Sequence, residues 1–184
     1  MRDDAFPVLR TERVCLRAPA DEDILPLLRI SQDEDVMQFY GVEAYKTEFE
    51  ARKEVDWMRR IFEEDEGIRW VITLRDHPGY IGDIGMDKYS KKHSRAELGF
   101  KLRKEYWRQG IMTEALTQVL NYGFEVIGLN RIEALVDPRN EVSSKLLERN
   151  GFKSEGVLRE YEFEKTKFID LAMMSLLKRE RKNP

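Results

Sequence analysis

A single cysteine, Cys15, rules out any disulfide within the chain of 184 residues. The two histidines, His77 and His93, are far from it in sequence, which leaves no donor set for a structural zinc site. No uninterrupted apolar run approaches the roughly 18 residues that a membrane-spanning helix needs. The opening MRDDAFPVLR carries acids where a secretory signal would be basic and then apolar, so a cytoplasmic location without membrane contact is the expectation. Cationic excess is also missing. A net charge of −3 argues against a general nucleic-acid binder, and any polyanion must be met by a local cluster.

What is present fits one globular domain over 1–184, with 41% hydrophobic and 36% charged residues and no repeat, linker or low-complexity segment. RVCLRA alternates and predicts a first strand; ADEDILPLLRI places acids ahead of leucines, the charge order of a helix start, provided Pro26 falls in the first turn. Thr47 and Glu50 have reciprocal capping spacing, and Ala51, Val55, Met58 and Phe62 recur on one face, predicting a helix over 48–64. IRWVITL, YIGDIGMDKY and RAELGFKL then predict an antiparallel meander. A helix is expected over 112–127, stopped by GLN, then a strand at NRIEALVD. A short helix over 143–149 should end at Asn150 and Gly151. Two strands flank a polar EKTK turn. This order implies an α/β (α+β) fold: one mixed, mostly antiparallel sheet of about seven strands flanked by about four helices.

KLRKEYWRQGIMTEAL brings basic residues and one glycine to the start of a helix. First-turn N–H groups lack intrahelical partners and carry partial positive charge, so an anion sits well there, and glycine lets it approach the backbone. Lys101, Arg103, Lys104 and Arg108 would add point charges, although such residues are also ordinary solvated surface. The GxxxxGK[ST] pattern of a P-loop is missing.

Together LGFKLRKEYWRQGIMTEAL, NRIEALVDPRN, SSKLLERNGF, TERVCLRA and IDLAMMSLL resemble the GCN5-related N-acetyltransferase (GNAT) superfamily, in its branch of ribosomal-protein alanine acetyltransferases. The resemblance covers nearly the whole chain. It implies a sheet splayed between the fourth and fifth strands, with acetyl-coenzyme A in the opening and no metal. The pantetheine would lie along the backbone near Phe100 and Leu102, and the pyrophosphate on the amides of Arg108, Gln109, Gly110, Ile111, Met112 and Thr113. The family loop, [QR]xxGx[GA], corresponds here to Trp107 through Met112. Met112 replaces a small residue and would either crowd the pyrophosphate or point into the core. Asn140 matches the asparagine that bonds the pantetheine arm or a water, or is a cap of the next helix. Arg149 matches a basic position near the phosphate end of the cofactor, or is a solvated helix charge.

Acetylating an amine requires a proton acceptor, because an α-amino group has a pKa near ~8 and lysine near ~10.4. In RAELGFKL, Ala96, Leu98, Phe100 and Leu102 share one face, so Glu97 lies on the other. The resemblance implies that Glu97 acts as base through water; the alternative is a cross-strand ion pair with an arginine. The branch places a serine three residues after the asparagine, here Ser143, as partner of the leaving thiolate, and a helix-start serine is the alternative. Many relatives use a tyrosine where this chain has Leu147. The acceptor, a protein N-terminus such as that of a ribosomal protein or a small-molecule amine, would enter near SQDEDVMQFYG and EFEKTKF. The resemblance is compatible with a monomer or a homodimer. Two rivals remain open at this level: a non-catalytic coenzyme A-binding module, and an RNA-associated module using the cluster at 101–108.

Overall fold

The computed structural model describes residues 5–181; the acidic start at 1–4 and the end of the expected domain at 182–184 lie outside the described residues. Strands β1 (Leu9–Arg10) and β2 (Val14–Arg17) form a small hairpin in which Thr11 Oγ1 accepts the Val14 N–H at 2.8 Å. Asp21–Asp23 make a 3-10 turn that leads into α1 (Ile24–Ser31), and Pro26 falls in its first turn, where no N–H is needed. Asp33 caps the short α2 (Glu34–Met37). Thr47 and Glu50 form the expected capping box at α3 (Glu48–Glu63), the Thr47 N–H donating to Glu50 Oε2 at 2.9 Å.

Strands β3 (Ile68–Leu74), β4 (His77–Ser90) and β5 (Arg95–Leu102) make the antiparallel meander. The expected helix over 112–127 divides: α4 (Ile111–Asn121) is α-helical, and Tyr122–Ile127 widens into a π-helical turn closed by Gly128 at φ 79°. After β6 (Arg131–Val136), α5 (Glu141–Arg149) starts two residues ahead of the sequence expectation, because Asn140 provides its cap; it ends at Gly151 with φ 91°. β7 (Lys153–Glu164) and β8 (Lys167–Leu177) are joined by Lys165 and Thr166, both at positive φ, the geometry of a tight hairpin.

The sheet has eight strands in the order β1-β2-β3-β4-β5-β6-β8-β7. It therefore holds one strand more than expected, the two-residue β1, and α2 adds a fifth α-helix to the four expected. Every pair is antiparallel except β5 with β6, which α4 connects as a crossover. On one face α4 and α5 bury Leu116, Val119 and Leu147 against Ile84, Leu98 and Ile132. On the other, α1 and α3 bury Leu27, Val55 and Met58 against Val71 and Tyr80. Gly82 and Gly85 are glycines because the strands crowd them: a Cβ there would lie 2.3 Å from the Lys101 carbonyl oxygen and 2.4 Å from that of Ile68.

Candidate active site

The pairing of β5 with β6 covers only Arg95 with Arg131, Ala96 with Ile132 and Glu97 with Glu133, after which the strands part. This is the splay expected between the fourth and fifth strands of the sequence reading. Peptide groups alternate in direction along a strand. The Arg103 N–H donates to Ile81 O in β4, whereas the Ser94 carbonyl accepts from Asn130 and Arg131 on the β6 side. Even-numbered residues of β5 thus turn their peptide groups toward β6, and Phe100, three positions past the last pair, turns both of its groups into the opening. The Leu102 carbonyl is already taken, by Trp107 Nε1 at 2.7 Å. The side chains of Phe100 and Leu102 pack in the core.

The chain then turns into α4. Arg108 has φ 59° and Gly110 φ 79°, the left-handed conformation that favours glycine. No side chain among the described residues caps α4, which leaves its first-turn amides without the partner that Asp33, Thr47 and Asn140 provide elsewhere. Ile111 and Met112 are buried in the core, so Met112 points inward and leaves the loop uncrowded. Thr113 and Arg108 are exposed. Gln109 folds back, its Nε2 donating to Glu105 O at 2.6 Å.

The basic cluster expected around this loop disperses. Lys101 is buried on the opposite face, its Nζ 3.3 Å from Asp83 and 4.7 Å from the ring centroid of Tyr40. Strand alternation sends it there, since Lys101 shares the face of Glu97. Arg103 pairs with Glu105 and Lys104 with Asp35. The phosphate cluster over 101–108 thus reduces to Arg108.

Glu97 stands at the last paired position before the strands part, on the α1–α3 face, and its Oε1 accepts from Lys88 Nζ at 2.8 Å. Its partner is a lysine rather than an arginine, and it reaches Glu97 because Lys88 sits in a β-bulge at φ 51°. Burial works to lower the Lys88 pKa, but the hydrogen bond and charge of Glu97, aided by Asp87 and Glu162, raise it above the usual lysine value. Directly across from Glu97 on β4 is Asp87. Burial pushes the Asp87 carboxyl above the usual carboxylate range; Arg69, 3.8 Å away, opposes this and Glu97 adds to it.

Beneath this pair lies a buried ionic cluster that the sequence reading missed. Arg69 Nε donates to Asp83 Oδ1 at 2.7 Å and Arg69 Nη2 to the Tyr40 hydroxyl at 2.9 Å, while Tyr80 donates to Asp83 Oδ2. Burial disfavours ionised Asp83, yet Lys101 and Arg69 outweigh it and hold its carboxyl below the usual range. The signal was present: alternation puts Asp83 and Asp87 on one face of β4, opposite Lys101 and Glu97 of β5. Gly99 leaves room for Arg69, whose Nη1 lies 3.2 Å from where a Cβ would be.

On α5, Asn140 is the helix cap, its Oδ1 accepting the Ser143 N–H at 3.1 Å. Ser144 Oγ turns back to Asn140 O at 3.2 Å. Ser143 is half-buried at the helix start, and Arg149 is exposed in the last turn, about 13 Å along the axis from Asn140. Leu147 is fully buried in the core, which leaves it no part in the chemistry. The two segments expected at the acceptor entrance do meet, Lys165 Nζ donating to Met37 O at 2.8 Å. Asp33 and Asp35 are committed to the α2 cap and to Lys104.

The acetyltransferase (GNAT) domain family matches residues 13–153. An uncharacterized N-acetyltransferase of Bacillus subtilis (strain 168), YoaA, is 36% identical over 94% of this chain and 98% of its own. The ribosomal-protein-S5-alanine acetyltransferase of Vibrio fischeri shares the fold at TM-score 0.82, 19% identity, and coverage of 96% of this chain and 100% of the other. The spermidine N-acetyltransferase of Vibrio cholerae, solved with CoA and spermine, does so at TM-score 0.80 and 21% identity, over 92% and 98%. With its parted β5 and β6 and uncapped α4 entrance, this chain belongs to the GNAT acetyltransferase family and is an N-acetyltransferase.

Proposed function

We propose that residues 1–184 form a single cytoplasmic N-acetyltransferase domain of the ribosomal-protein alanine acetyltransferase branch. It moves acetyl from acetyl-coenzyme A to a primary amine by direct attack in a ternary complex. The observation that carries this is the parting of β5 from β6 immediately beyond Glu97, with the Phe100 peptide groups turned into the gap. Phe100 and the Leu102 N–H would hold the pantetheine arm. The amides from Arg108 through Thr113 would hold the pyrophosphate, favoured by the helix dipole. Asn140 would bond the arm through its amide group, and Arg149 would meet the phosphate end of the cofactor.

The neutral amine attacks the thioester carbonyl carbon, so that a C–N bond forms as the C–S bond breaks. Glu97, kept beside Lys88, accepts the amine proton through a water. The sulfur leaves as thiolate and Ser143 donates a hydrogen bond or relays a proton to it. The carboxylates of Asp87, Glu97 and Glu162 all act on Lys88, and only Arg69, buried 3.8 Å from Asp87, adds a second cation, a balance of three carboxylates to two cations that favours a cationic acceptor. A protein N-terminus, such as that of a ribosomal protein, or a small-molecule amine meets that requirement. Incubating the protein with acetyl-coenzyme A and a panel of N-terminal peptides and polyamines, with thiol release and product mass as readouts, tests the reading. Turnover with one class names the acceptor. Coenzyme A binding without thiol release from any amine would leave a binding module instead.

A further inference from the structure

The turn between β1 and β2 grips the start of α4. Thr11 Oγ1 donates to Glu114 Oε2 at 2.7 Å and Arg13 Nε to Glu114 Oε1 at 2.6 Å. Arg13 Nη1 then donates to the Gln109 carbonyl at 3.0 Å. Arg13 Nη2 lies 3.2 Å from the position of a Cβ on Gly110, so a side chain there would press the guanidinium aside by a few tenths of an ångström as well as oppose φ 79°.

The peptide unit is planar and trans, so the C=O of Gln109 and the N–H of Gly110 point in opposite directions. A donor that fixes the carbonyl therefore also fixes the amide. From this we infer that Arg13 is a positioning residue for the anion-binding turn: by holding the Gln109 carbonyl it aims the Gly110 N–H outward, toward the pyrophosphate of the coenzyme. Glu114 and Thr11 hold Arg13 in place. The inference rests on the proposed coenzyme site. It assigns to Thr11 and Arg13 of the first hairpin and Glu114 of α4 a task that neither the helix dipole nor Arg108 performs. Lysine cannot replace Arg13, because a single ammonium does not present the rigid fork that reaches a carboxylate and a carbonyl together.

Arg13 is exposed and Glu114 half-buried at the surface, so loss of their ion pair should leave the protein folded. Titration calorimetry with coenzyme A, and with acetylpantetheine, which lacks the pyrophosphate, separates the possibilities. Arg13→Ala and Arg13→Lys should both weaken coenzyme A binding about ten-fold, the scale of one lost hydrogen bond with its geometry, and leave acetylpantetheine binding unchanged. Glu114→Ala gives the sign: it frees Arg13 and should weaken coenzyme A binding too. Tighter binding in Glu114→Ala would mean that Arg13 acts only as a charge and would overturn the inference, as would unaltered affinity in Arg13→Ala or equal losses for both ligands. Failure of the unsubstituted protein to bind coenzyme A would instead remove the site itself.

Discussion

At the scale of residues, Glu97 and Asp87 show how neighbours divide two carboxylates that face each other across a strand pair. Glu97 has its own ammonium at 2.8 Å, whereas Asp87 shares Arg69 with Asp83. We expect Glu97→Gln to lower turnover at neutral pH by about 10²–10⁴-fold, the range for loss of a positioned base, and to leave coenzyme A affinity intact. An unchanged pH–rate profile with a confirmed acceptor would take Glu97 out of the mechanism and leave Asp87 as the carboxylate at this position.

At the scale of elements, helix boundaries were legible where side chains make them. Thr47 and Glu50 announce α3, and its Ala51, Val55, Met58 and Phe62 are all buried. Thr47→Ala should cost about 1 kcal/mol, measured as a lower urea midpoint with unchanged slope. A stability equal to that of the parent would show that tertiary packing alone holds the helix start. The π-helical turn at Tyr122–Ile127 left no mark in the apolar spacing, because Leu120 and Ile127 keep a helical period whether the last turn is wide or regular. The start of α5 lies ahead of the expected Ser143 because the Asn140 side chain accepts the Ser143 N–H and so sets the first turn of the helix.

At the scale of the whole molecule, the Arg69–Asp83–Lys101 cluster ties β3, β4 and β5 together beneath the site, with Glu54 of α3 3.7 Å from Lys101. Asp83→Ala leaves two buried cations without their shared anion and should destabilise by about 3–5 kcal/mol, read from the denaturant midpoint. A loss below about 1 kcal/mol would mean that Glu54 and Asp87 compensate fully. Since the folded Asp83 carboxyl titrates below its unfolded value, its contribution is complete above about pH 4 and is lost as pH falls through the folded value. Acid unfolding should accordingly be shallower in Asp83→Asn than in the parent. By itself the sequence determined the order of the strands other than β1 and of the helices other than α2, the capped start of α3, the glycine entrance to α4 and the face on which Glu97 lies. All of these follow from period, capping chemistry and backbone sterics acting over a few residues. Only the tertiary structure decided that Lys88 reaches Glu97 from its bulge, that Arg69 of β3 meets Asp83 of β4, and that Arg13 reaches Gln109. Those contacts join strands whose register depends on the whole sheet, and no local pattern encodes it.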